Sequence, residues 1–106
     1  MSILLFISVL NPDSAFLAVV TVRYIEYSII MDFEREIYTK LGKNIRKYRL
    51  AKNLSQEKLS ELLDVNSKFI GHVERVERYI SLKKLIQLSV ILDVSLSSIF
   101  DFKDND

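Results

Sequence analysis

The stretch Leu54–Leu82, LSQEKLSELLDVNSKFIGHVERVERYISL, carries the clearest pattern in this chain. Ser55 stands just before an apolar series of Leu59, Leu62 and Leu63, so its side chain can accept the free amide hydrogens of a first helical turn. Glu57 falls near the positive end of the same helix. The spacing predicts a helix from Gln56 to Leu63. Asn66 is the next capping candidate, and Ile70 and Val73 supply the inward i, i+3 face of a second helix that leaves Ser67, Lys68, Gly71 and His72 outward. Asp64 occupies the junction, where a left-handed backbone is expected; Gly fits such a position most easily and Asp is among the few others that tolerate it.

Two short helices around a tight turn, the second with a polar outer face, form the layout of a helix-turn-helix, whose second helix enters the major groove of a duplex. From about Leu41 to Phe100 the sequence resembles the lambda-repressor-like, Cro/CI-type (XRE) helix-turn-helix family. Leu54, Ser55, Gln56, Glu57, Leu59, Val65, Ile70, Val73, Glu74, Ser81, Leu82 and Leu85 match the pattern without a gap. The run from Phe69 to Leu82 is most similar to the subgroup that includes restriction-modification controller proteins. Three residues depart from the pattern. Asp64 replaces the usual turn Gly, Val76 stands where members often have Gly after the second helix, and Ile80 stands where many carry Pro. A β-branched residue is badly suited to positive φ, so the second helix is expected to run on past Glu74, or the next loop to take another path.

The resemblance implies roles for individual residues. Gln56, opening the first helix of the pair, would contact a phosphate, as the amide donors of a helix N-terminus independently favour. The base-reading positions fall on Ser67, Lys68 and His72, with Asn66 at the helix entry and Phe69 near the backbone or a thymine methyl. Lys68 can donate to guanine N7 and O6, Ser67 to several base edges, and neutral His72 can donate or accept. The plainer reading leaves all of these as solvated helix residues. Gly71 costs roughly 1 kcal/mol against Ala inside a helix, which close approach to DNA or mere tolerance would equally explain. Glu74 is expected to pair with Arg49, since a carboxylate on a packed helix is costly unless partnered.

The flanking sequence completes an all-α, five-helix domain. Leu41, Ile45 and Tyr48 recur at helical spacing, predicting a first helix over about Arg35–Lys52; Ser81 caps one bearing Leu82, Leu85, Leu88 and Leu92, and Ser95 a short one bearing Ile99 and Phe100. With no Gly or Pro after Gly71, the later turns rest on Ser and Asp chemistry. A net charge of +1 says little about partners, yet Lys40, Lys43, Arg46, Lys47, Arg49 and Lys52 fall in an acid-free stretch. A solvated basic face is the default for such a helix; beside the helix-turn-helix, phosphate contacts by Lys43 and Lys47 are the favoured reading. The absence of cysteine and the single His72 leave no basis for a disulfide framework or a thiolate or histidine metal site, and no cofactor is implied.

Residues 1–30 form a hydrophobic extension ahead of the domain at 31–106. It is read first as a start assigned upstream of Met31 or as a disordered segment, next as a β-rich arm from Ala18 to Ile30, and last as a membrane anchor. Arg23, Glu26 and the break at Asn11-Pro12-Asp13-Ser14 interrupt the roughly 20 apolar residues a spanning helix needs. On the fourth helix Ile86 and Val90 add a second apolar stripe, which with Phe100 and Phe102 is expected to form a twofold interface between copies or, alternatively, to cover the N-terminal segment. The expectation is a cytoplasmic, dimeric, repressor-like transcriptional regulator that binds a palindromic operator in double-stranded DNA and is not an enzyme. The alternative is an antitoxin, with a protein partner, or a restriction-modification controller using the same surface.

Overall fold

The computed structural model describes residues 15–103. Five helices follow one another: α1 Ala15–Ala51, α2 Gln56–Leu62, α3 Phe69–Glu74, α4 Leu82–Leu92 and α5 Leu96–Ile99, with no strand among the described residues. The chain divides into two units, Met1–Glu34 and Arg35–Asp106. In the first, residues 15–34 are helical, which replaces the β-rich reading of Ala18–Ile30 and starts α1 some twenty residues ahead of Arg35. Dense Val, Ile and Tyr favour strands only where a pairing edge is available, and the helix satisfies its own backbone instead. Phe16, Leu17, Tyr24, Tyr27, Ile29, Ile30 and Phe33 are exposed on it. Among the described residues no helix is long and apolar enough to cross a membrane.

In the second unit Leu41 and Ile45 of α1, Leu59 and Leu63 at α2, Ile70 and Val73 of α3, and Leu85, Leu88, Leu92 and Ile99 beyond form one core, with Ile80 buried among them. Asn44 is buried on the same face of α1 and donates its amide to the Ile99 and Asp101 carbonyls, at 2.8 and 3.1 Å, pinning the end of α5. Ser55, Ser81 and Ser95 cap α2, α4 and α5, each side chain accepting an amide hydrogen three residues on. Asn66 does something different from the N-cap expected of it. Its Oδ1 accepts from the Lys68 amide at 2.9 Å, closing a turn over Ser67 and Lys68, and α3 begins only at Phe69. The amide of Ile70 is satisfied instead by the buried Ser60 hydroxyl of α2 at 3.2 Å, so one side chain joins the two helices.

The four longest helices all end by the same device. Asn53, Asp64, Val76 and Asp93 each adopt positive φ, between 54 and 61°. The next residue's amide then donates back to the carbonyl five positions earlier, as in Leu54 to Arg49, Val65 to Ser60, Glu77 to His72 and Val94 to Ser89. Three of these turns use Asn or Asp, whose side chains tolerate the left-handed region, and place an apolar residue next, Leu54, Val65 or Val94, against the core. The turn after α3 differs at both positions. It puts Val76 at φ 61° and then Glu77, a charged surface residue. Helix α3 therefore stops at Glu74 rather than running on, because the tertiary path, with Ile80 buried and Tyr79 stacked on Tyr38 of α1 at 4.1 Å, outweighs the local strain at Val76.

Gly42 allows α1 to approach the end of α3. A Cβ there would lie 3.0 and 3.1 Å from the Val73 and Glu74 carbonyl oxygens and 3.2 Å from the Glu74 Cα, all backbone atoms that cannot turn aside.

Candidate nucleic-acid interface

The inner side of the helix pair is held by a charged network. Arg49 donates from Nε to Glu74 Oε2 at 2.7 Å and from Nη2 to Oε1 at 3.1 Å, and its Nη1 reaches the Leu54 carbonyl at 2.8 Å. The side chains are only 7 % and 4 % exposed. Burial of two charges is tolerated because both are hydrogen-bonded several times over, the arrangement that offsets their desolvation. Glu74 Oε1 also accepts from the Gln56 amide at 3.0 Å, so the first residue of α2 is oriented from beneath by α3.

Gly71 lies within this packing and not on the outer face. A Cβ on it would meet Gln56 Oε1 at 2.9 Å and Arg75 Nη1 at 3.1 Å. Two polar side chains pass over it, so the space that Gly leaves is already used inside the protein. That accounts for a helical glycine without invoking contact with DNA.

Outward, Ser67 and Lys68 are exposed in the turn leading into α3, and His72 is partly exposed one turn further along. Phe69 packs partly against the core. Beyond them stands a second charged group that the sequence did not single out. Arg75 donates from Nε and Nη2 to the two carboxylate oxygens of Glu77, at 3.0 and 3.3 Å, and His72 Nε2 lies 3.8 Å from Glu77 Oε2. The hydrogen bond to Glu77 pushes the Arg75 guanidinium above its ordinary pKa, and the same bond holds the Glu77 carboxyl below the usual carboxylate range. The signal available in the sequence was the acid-base spacing Arg75-x-Glu77; what it lacked was the left-handed residue between them.

Lys43, Arg46 and Lys47 on α1 and Lys52 just beyond it are exposed, with Lys47 Nζ 5.5 Å from the Tyr48 ring centre, whereas Lys40 pairs with Glu36 at 3.2 Å and Arg49 is committed to Glu74. On α4, Ile86 and Val90 are 49 % and 76 % exposed and border a groove with Leu62 and Lys84. Phe100 is exposed and meets Phe102 edge-on at 6.1 Å, while Phe102 packs partly against the core.

These elements recur in known proteins. Residues 45–99 match the HTH_3 helix-turn-helix family. The chain is 45% identical over 56 residues to control protein C.SmaI of Serratia marcescens, covering 53% of this chain and 67% of that one. It is 37% identical over 62 residues to control protein C.BamHI of Bacillus amyloliquefaciens, covering 58% and 76% respectively. Among solved structures it is similar to the restriction-modification controller protein C.AhdI from Aeromonas hydrophila, with a TM-score of 0.56 and 35% identity over 58% of this chain and 94% of that one.

Proposed function

Because this chain belongs to the HTH_3 helix-turn-helix family, and is accordingly a DNA-binding transcriptional regulator, we propose that it works as a homodimer on a palindromic operator controlling a restriction-modification system. The observation that carries the reading is the division of labour across α3. Ile70 and Val73 are locked into the core and Glu74 into Arg49, while Ser67, Lys68 and His72 stay available to base edges on one outward surface. Gln56 and the exposed lysines Lys43 and Lys47 supply phosphate contacts on either side, with Asn66 shaping the approach. A single recognition helix covers only a short half-site, so two copies must present theirs about 34 Å apart, one turn of duplex. Ile86, Val90 and Phe100 give the exposed apolar surface for that pairing, with Phe102 bracing Phe100.

The two controller relatives favour this operon-level role over that of an antitoxin with its own protein partner. Selection of bound sequences from a random duplex pool tests it, with an enriched inverted repeat as the expected result; a pool with no enriched site would overturn it. On the selected operator, Lys68→Ala should change which base is preferred at one position. Lys43→Ala should weaken all sequences evenly and reduce the salt slope by about 1.

A further inference from the structure

The turn after α3 is built unlike its three counterparts, and the difference lies beside His72 of α3. Where the other turns seat Leu54, Val65 or Val94 on the core, this one presents Glu77. Its position is fixed from both sides. The Glu77 amide donates to the His72 carbonyl at 2.8 Å, and just beyond it Tyr79 is stacked on Tyr38 and Ile80 is buried. The carboxylate is thereby held against the end of α3, gripping Arg75 with both oxygens and standing 3.8 Å from His72. A negative charge in that place opposes a polyanion, and it occupies the Arg75 guanidinium at the C-terminal cap of α3.

We propose that Glu77 is a specificity-determining residue that acts by restraint: it withholds the Arg75 guanidinium from the duplex backbone and sets a fixed negative charge beside the base-reading surface, keeping affinity for DNA of arbitrary sequence low. The inference rests on α3 meeting DNA through its outer face. Binding to arbitrary sequence comes almost wholly from phosphates neutralised by cations, whereas binding to an operator adds base contacts that a carboxylate at this distance does not remove. Base contacts fix the single register in which the operator meets Glu77, whereas arbitrary complexes are free to take any register that lets a cation reach a phosphate; withholding Arg75 therefore costs the arbitrary complexes more. The device needs Val76 in its left-handed conformation, because that residue turns the chain so that Glu77 returns over the last turn of α3.

The test compares the full-length chain with Glu77→Gln, Glu77→Asp and the double variant R75A/E77Q. Dissociation constants are measured across a range of salt on a random-sequence duplex and on a duplex selected by the wild-type protein. Glu77→Gln should bind the random duplex about 3- to 10-fold tighter at low salt, with a log-log salt slope steeper by about 0.9 for the freed phosphate contact. Its gain on the selected duplex should be smaller, so the ratio between the two falls. Glu77→Asp, which keeps the charge, should stay near wild type, and in R75A/E77Q the gain should drop to less than half. Equal or weaker binding of the random duplex by a folded Glu77→Gln protein, or an equal gain on both duplexes, would overturn the restraint. Failure of the wild-type protein to bind either duplex would overturn instead the reading of α3 on which it rests, and the restraint with it.

Discussion

Two Arg-Glu pairs meet at α3, their glutamates three residues apart in the sequence, and the same chemistry serves opposite ends. Arg49 and Glu74 are almost wholly buried, bind each other through two hydrogen bonds, and share their remaining capacity with the Leu54 carbonyl and the Gln56 amide. Arg75 and Glu77 also make two bonds, yet both side chains are 53 % exposed. Burial converts the first pair into a structural bolt, because removing either partner strands a charge where water cannot reach it. Exposure leaves the second with little weight in folding, since solvent screens the attraction and can replace each partner. What the outer pair retains is influence over what approaches, and under the proposal above a single carboxylate beside the proposed DNA-reading surface counts.

The contrast breaks most visibly at Glu74. Glu74→Ala should cost about 3 to 5 kcal/mol by leaving Arg49 buried and unpaired, which calorimetry would register as a fall in melting temperature of more than about 12 °C; an unchanged transition would remove the distinction between the pairs. Gly42→Ala, which presses a methyl into the backbone carrying Glu74, should destabilise by about 1 to 3 kcal/mol in urea titration. Val76→Gly acts in the other direction. It releases a β-branched residue from positive φ and should raise stability by about 1 kcal/mol, a gain of about 4 to 8 °C. At the outer pair, Glu77→Gln should melt only slightly below wild type near neutral pH. The sign of its small contribution is fixed by the lowered carboxyl pKa. Any stability from Glu77 is present above the ordinary carboxylate range and lost as pH falls through its depressed value, so the two proteins should become indistinguishable in acid.

Much of this was legible along the chain. The i, i+4 pair Leu59 and Leu63 and the i, i+3 pair Ile70 and Val73 mark the buried faces because helical periodicity is local, and Ser55, Ser81 and Ser95 announce helix starts because a cap binds amides three residues away. Asp64 and Asp93 could be read as turn residues for the same reason of short range. The beginning of α1 is not legible in this way, because its β-branched residues are compatible with strand while the backbone adopts helix. Gly71 was placed outward by its register, but Gln56 and Arg75, brought over it by the fold, bury it.

The sequence by itself thus determined the helices, their caps and the apolar faces that make one core, since each depends on residues within a turn or two of one another. Only the tertiary structure decided which charges are enclosed and which are displayed. Arg49 meets Glu74 across 25 residues, Ser60 meets the Ile70 amide across the turn, and Tyr38 holds Tyr79 so that Val76 accepts a left-handed backbone. No local propensity favours Val there; the cost is borne because the packing of Ile80 and Tyr79 leaves the chain one path, and that path brings Glu77 to within 3.8 Å of His72.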